Sequence, residues 1–237
     1  MAMQCDIGHK MQRRTNIMIR KRTAPMTVSV PVFMAAILWM SAAFGEPAPP
    51  SYFNMDEKKS GDITPFYKWT TMVKRFVEQR KIPDSDCGNV RFHPCSVVEW
   101  KAWLETLKRK PLHEQMEIVN SWANAYPYIV DQVNWGVEDY WETPYEFLDV
   151  SGNCKDYAIA KYYSLKALGV PVEKMRVIVL QDLNLGGIIH AVLGVYDNGE
   201  LWILDNQNPN VIPALKIYHY RPLFGINEDA WWAYYPK

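Results

Sequence analysis

The sequence predicts an α+β domain in which a helical N-terminal half packs on an antiparallel β-sheet. Three observations carry that prediction. Apolar residues recur at helical spacing from Trp69 to Leu168. Beyond Pro171 the pattern changes to β-branched runs at residues 175–180 and 188–196. An Asn198-Gly199 pair, a strong signal for a two-residue hairpin turn, then joins the second run to residues 201–204. With 49% of its 237 residues hydrophobic, the chain can bury a sizeable core.

The chain opens on a basic stretch (Lys10, Arg13, Arg14, Arg20, Lys21, Arg22), followed by an uncharged apolar run over residues 28–40 and by Ala43-Phe44-Gly45. That is the order of an export signal with small residues flanking a cleavage site, so residues 1–45 read as a signal peptide and the mature protein as starting near Glu46. An uncleaved membrane anchor is the alternative, and Met18 is a second candidate start. Either reading places the domain outside the cytoplasm, in the periplasm. Six of the 26 basic residues but one of the 26 acidic ones lie in this leader, which leaves the mature chain a net charge of about −5. A mildly acidic chain with no basic helix or patch argues against nucleic acid as a partner.

Residues 46–64 include Pro47, Pro49, Pro50 and the run Lys58-Lys59-Ser60-Gly61, lack apolar periodicity and read as a flexible segment. The domain proper then spans residues 65–237. Trp69, Met72, Val73 and Phe76 mark a first helix. Ser96 with Glu99 three residues on reads as the capping box of a second, whose buried stripe is Trp100, Trp103, Leu104 and Leu107. Pro111 reads as the first position of a third, with Leu112, Met116, Val119 and Ala123 inward. Thr143-Pro144-Tyr145-Glu146 is another capping box, and Ser151-Gly152-Asn153 ends the short helix that it opens. A further helix starts at Cys154, turns Tyr157, Ala160, Lys161, Ser164 and Leu168 inward, and stops at Gly169 and Pro171. Residues 217–220 and 231–235 are expected to add strands to the sheet.

Cysteine usage fits an exported protein. Cys5 leaves with the signal, and Cys87, Cys95 and Cys154 remain, an odd number in an oxidising compartment. Proximity pairs Cys87 with Cys95 and leaves the thiol at Cys154. A cysteine in the first turn of a helix meets unpaired backbone N–H groups and the positive end of the helix dipole, which favour a thiolate and can hold an oxyanion. His190 lies inside one strand and Asp205 at the end of the next, so the predicted hairpin brings them together, the carboxylate orienting the imidazole. Cys154, His190 and Asp205 are therefore the candidate nucleophile, base and orienting acid. Trp135 and Trp141, just upstream, are candidates for an oxyanion donor or a substrate-groove wall.

Residues 152–171, Gly-Asn-Cys-Lys-Asp-Tyr-Ala and onward to Gly-Val-Pro, resemble the nucleophile segment of the bacterial transglutaminase-like cysteine proteinases. Residues 188–196 resemble that family's histidine strand, residues 201–206 its aspartate strand, and residues 135–148 its tryptophan-rich approach to the nucleophile. The resemblance implies a papain/transglutaminase-like fold and a cysteine endopeptidase with the triad Cys154, His190 and Asp205. It also implies a protein substrate, since periplasmic members cut the N-terminal region of large surface adhesins and so release biofilm. An inner-membrane cyclic di-GMP receptor partners those members. A protein-glutamine acyltransferase and a non-catalytic periplasmic adaptor of the same fold are the rival readings. The family's nucleophile segment commonly reads Gly-Asp-Cys-Glu-Asp and helps to bind calcium, whereas this chain has Gly152-Asn153-Cys154-Lys155-Asp156. Asp156 alone matches as an acidic ligand, Lys155 reads as a solvated surface lysine, and the expectation is no cofactor, with little or no calcium dependence.

Overall fold

The computed structural model describes residues 52–237. The expected signal peptide, its cleavage site and the membrane-anchor alternative lie outside the described residues. None of the described helices is long and apolar enough to cross a membrane.

The helical half is built from α1 (Tyr67–Gln79), α2 (Ser96–Leu107), α3 (Leu112–Asn124), α4 (Asp131–Trp135), α5 (Pro144–Val150) and α6 (Cys154–Ala167). Trp69, Met72 and Phe76 bury the apolar stripe of α1, and Met116, Val119 and Ala123 that of α3. Two expected helix starts shift by one residue. Ser96 lies inside α2, with Cys95 in the capping position and no side-chain cap; its hydroxyl donates to the Leu148 carbonyl instead. Pro111 caps α3 rather than opening it. Cys87 and Cys95 are joined by a disulfide that closes the loop ahead of α2.

The capping box at Thr143 forms as expected, with Glu146 N–H donating to the Thr143 hydroxyl and the Glu146 carboxylate accepting from Thr143 N–H. α6 departs from the one-faced helix that its sequence suggests. Every residue from Cys154 to Leu165 is buried, including Lys155, Asp156 and Lys161. The polar residues on its outer faces meet other helices and loops rather than water, so apolar periodicity alone understates its burial.

The sheet is antiparallel throughout. Its strands are β1 (Asp56–Ser60), β2 (Met175–Asp182), β3 (Ile188–Asp197), β4 (Glu200–Leu204), β5 (Ile212–Pro213), β6 (Tyr220–Ile226) and β7 (Trp231–Tyr235), in the order β1-β7-β6-β2-β3-β4-β5. Asn198 and Gly199 both take positive φ, as the tight turn between β3 and β4 requires. Val177, Val179, Ala191, Leu193, Val195 and Leu204 join Ala158, Ile159, Tyr162 and Leu165 of α6 in one core, so α6 lies across the centre of the sheet. Ile178, Leu180, Val192, Tyr196 and Ile203 form a second core on the other face.

Two expectations are corrected here. Part of the segment read as flexible is strand β1, which pairs with β7 from Asp56↔Tyr235 to Ser60↔Trp231. It escapes a periodicity search because it is an edge strand carrying Asp56, Glu57, Lys58 and Lys59, a charge-rich composition that discourages further strand addition. The strand expected at residues 217–220 instead begins at Tyr220 and runs to Ile226, through Pro222 and across a register shift against β2.

Candidate active site

α5, the turn at residues 151–153 and the first residues of α6 set the nucleophile segment. Ser151 takes a positive φ, and Gly152 sits where a Cβ would come within 2.6 Å of Glu142 Oε2 and 2.7 Å of Asp156 Oδ2, so only glycine fits between these carboxylates. Asp156 reaches back to accept from the N–H groups of Asn153 (3.0 Å) and Glu142 (3.0 Å), which ties the start of α6 to the segment ahead of α5. Cys154 is thereby fixed as the first residue of α6, buried in the core shared with β3.

His190 and Asp205 meet as their places on adjacent strands predict. His190 Nε2 lies 2.9 Å from Asp205 Oδ1, with both side chains buried. Asp205 also accepts from the Gln207 N–H (2.9 Å) and from the Tyr220 hydroxyl. Burial alone would raise its carboxyl, but the His190 charge and these donors together hold it at about 2. The Gln207 amide sits over the imidazole, 3.3 Å from Nε2 and 3.4 Å from Nδ1.

Helix α3 holds the loop that carries Asp205. Asn124 Nδ2 donates to the Asp205 carbonyl (2.9 Å) and the Asn208 carbonyl (3.1 Å), and Asn120 Nδ2 to the carbonyls of Asn208 (3.0 Å) and Pro209 (3.3 Å). Lys161 Nζ, about two turns along α6 from Cys154, donates to Asn120 Oδ1 at 2.7 Å, and burial lowers its ammonium to about 7. Gln207, Tyr220, Asn120 and Asn124 went unread in the sequence because none belongs to a motif; only the closeness of Gln207 to Asp205 offered a signal.

The two tryptophans separate. Trp141 lines a groove of about 380 Å³ with Phe66, Val179, Ile189 and Phe224, and its indole N–H donates to Asp139 at 3.0 Å. Trp135 stacks on Tyr140 with ring centroids 4.1 Å apart and donates its N–H to Glu142 Oε1 at 2.7 Å. Both indole N–H groups are therefore committed to carboxylates.

Asp131, Glu142 and Asp156 converge, each offering an oxygen within 4.8 Å of the others, and all three are buried. Lys155 lies among them, fully buried rather than solvated, with Nζ 2.9 and 2.8 Å from the Asp131 oxygens, 3.0 Å from Asp156 Oδ2 and 2.8 Å from Asn153 Oδ1. Burial, reinforced by the Asp156 charge, pushes the Glu142 carboxyl up to about 9, and burial likewise moves Asp156 up to about 6.

The sequence profile of the bacterial transglutaminase-like cysteine proteinases matches residues 87–233, well over half of the chain. The chain belongs to this family. Among solved structures, Legionella pneumophila LapG matches at 30% identity and a TM-score of 0.53, over 68% of this chain and 87% of that one. Its calcium-bound form matches equally well, and an EGTA-treated form matches over 84% of its length. No curated protein sequence matches the chain. A cysteine proteinase of this family thus acts on protein. The calcium-bound relative and the three converging carboxylates overturn the expectation of no cofactor. Asp156 is joined by Asp131 and Glu142, which lie outside the Gly152–Asp156 motif in sequence and were missed for that reason. The donor set suits a hard cation, being all oxygen, and Glu142 Oε2 is buried with no hydrogen-bond partner.

Proposed function

We propose that the protein is an exported thiol endopeptidase of the periplasm in which reduced Cys154 is the nucleophile, His190 the base and acid, and Asp205 the group that orients it. The observation that carries this reading is the 2.9 Å contact between His190 Nε2 and Asp205 Oδ1. With Nε2 held by a carboxylate, Nδ1 is the nitrogen available to take the thiol proton.

Chemistry begins with the Cys154 thiol of the mature chain. The proton passes from Sγ to His190 Nδ1 and the thiolate adds to the peptide carbonyl. The resulting oxyanion is met by backbone N–H groups at the start of α6. Collapse breaks the C–N bond, and His190 returns the proton to the leaving amine. Water, deprotonated by the same nitrogen, then hydrolyses the thioester and regenerates the thiol. The Trp141-lined groove beside Ile189 offers an extended chain an apolar wall one residue from the base.

Asp131, Glu142 and Asp156 would hold a calcium ion in this chain, a reading supported by the calcium-bound form of the Legionella relative. Bound there, it would neutralise carboxylates next to the nucleophile segment and stiffen the turn at Gly152. The N-terminal region of a large surface adhesin is the proposed substrate, with biofilm release as the outcome. An inner-membrane cyclic di-GMP receptor is the proposed regulatory partner.

The test is to incubate mature protein, reduced with dithiothreitol, with the N-terminal region of a large adhesin from the same genome, beside a Cys154→Ala variant. Cleavage by the native chain alone supports the reading. Amine incorporation into glutamine without cleavage points to an acyltransferase, and neither activity overturns the enzymatic reading in favour of an adaptor.

A further inference from the structure

We propose that Lys155 is a tethered counter-ion of the Asp131–Glu142–Asp156 cluster, and that a divalent cation enters the cluster by displacing its ammonium. The proposal rests on the calcium reading above and adds to it a residue particular to this chain.

Lys155 is the second residue of α6 and is fully buried. Its ammonium lies within 3.0 Å of four oxygens, contributed by Asp131, Asn153 and Asp156. Three of these are carboxylate oxygens of the kind that a hard cation takes as ligands. An ammonium 2.8 Å from Asp131 and a divalent ion on the same carboxylate would be like charges in direct contact inside a desolvated pocket. The two cations therefore exclude one another from Asp131 and Asp156.

The pocket nonetheless calls for more positive charge than Lys155 supplies. Its ammonium bonds to Asp131 and Asp156 but makes no hydrogen bond to Glu142, the third carboxylate of the cluster. Glu142 Oε2 marks where the deficit lies. It is buried, unpartnered, and aimed at the spot beside Gly152 that Asp156 Oδ2 also faces. Oxygens that accept from Lys155 and one that accepts from nothing thus border the same small volume. Cation entry would repartition these oxygens, turn the lysine side chain outward, and change what holds the turn immediately before Cys154.

Calcium binding to the full-length chain, stripped with EDTA, would be followed by calorimetric titration for wild type, Lys155→Gln and Glu142→Gln. Exchange predicts that Lys155→Gln binds calcium about tenfold or more tightly than wild type, because no ammonium need be displaced. Glu142→Gln should weaken binding relative to wild type. A second measurement uses the unaltered chain, so it stands even if Lys155→Gln fails to fold: acetylation of Lys155 by an amine-reactive ester, read by mass spectrometry. Lys155 should be protected without calcium and become reactive at saturating calcium. Equal calcium affinity in wild type and Lys155→Gln, or protection that persists at saturating calcium, overturns the exchange and leaves the calcium reading standing. Absence of calcium binding in all three chains overturns both.

Discussion

Asp205 is the residue on which the candidate triad turns, because a buried carboxylate must be fully partnered to stay ionised. Its oxygens receive His190, the Gln207 N–H and the Tyr220 hydroxyl. Its folded value of about 2 lies below the ordinary value of 3.8, so it stabilises the fold above about pH 4 and that contribution is lost as pH falls through about 2. The difference is worth ~2 kcal/mol. Tyr220→Phe removes one donor, raises the carboxyl, and should move the acid-unfolding midpoint, followed by tryptophan fluorescence, to higher pH; an unmoved midpoint would show that the tyrosine does not hold this charge. Asp205→Asn keeps the shape and loses the orienting charge, and should lower kcat/KM about 10³-fold or more with the far-UV spectrum preserved. The meeting of His190 with Asp205 could be read from sequence because the two lie on strands paired across a hairpin. Tyr220 could not, since it reaches Asp205 from β6, which joins the sheet on the far side of β2.

At the scale of elements, the turn from α5 to α6 is where local sequence and tertiary charge meet. The capping box at Thr143 was legible because a Thr-Pro-x-Glu pattern has a local cause. Its second role was not: Thr143 Oγ1 also donates to Gln79 of α1 at 2.6 Å, and Glu146 accepts from Arg75 and Gln79. Thr143→Ala therefore cuts a cap and an inter-helix contact together, and should cost ~1–2 kcal/mol in urea unfolding; a loss no larger than that of an exposed Thr→Ala change would refute the coupling of α1 to α5. The acidic cluster was illegible for the opposite reason. Asp131, Glu142 and Asp156 are far apart in the chain and come together only when α4, the approach to α5 and α6 pack. Lys155 had the sequence context of a surface residue because α6 was read as having one inward face. A central helix wrapped on all sides breaks that inference. Gly152→Ala tests the packing directly: its Cβ would collide with Glu142 and Asp156, both fixed by hydrogen bonds, and should destabilise by ~1–3 kcal/mol.

For the whole molecule, the sheet's closure depends on a segment that the sequence presents as a tether. β1 covers the outer edge of β7, and its Glu57 makes an ion pair of 2.8 Å with Arg176, a buried residue of β2. Arg176 in turn lies over the Trp232 ring, 3.7 Å from its centroid. One short, charged strand thus tethers the outermost part of the sheet to a central strand through a largely desolvated guanidinium, whose charge is costly when a partner is removed. A chain beginning at Gly61 loses the β1 ladder and the Glu57 carboxylate at once. It should lose ~3 kcal/mol or more and melt roughly 6 °C lower or beyond, with a newly bared β7 edge that promotes self-association in light scattering. Glu57→Gln in the full chain separates the two effects: it keeps the edge covered and removes the charge, so it should lower the melting temperature without light scattering. If the shortened chain melts like the parent, β1 is an ornament of the sheet, and the stability of the site-bearing strands is set by α6 and β6 alone.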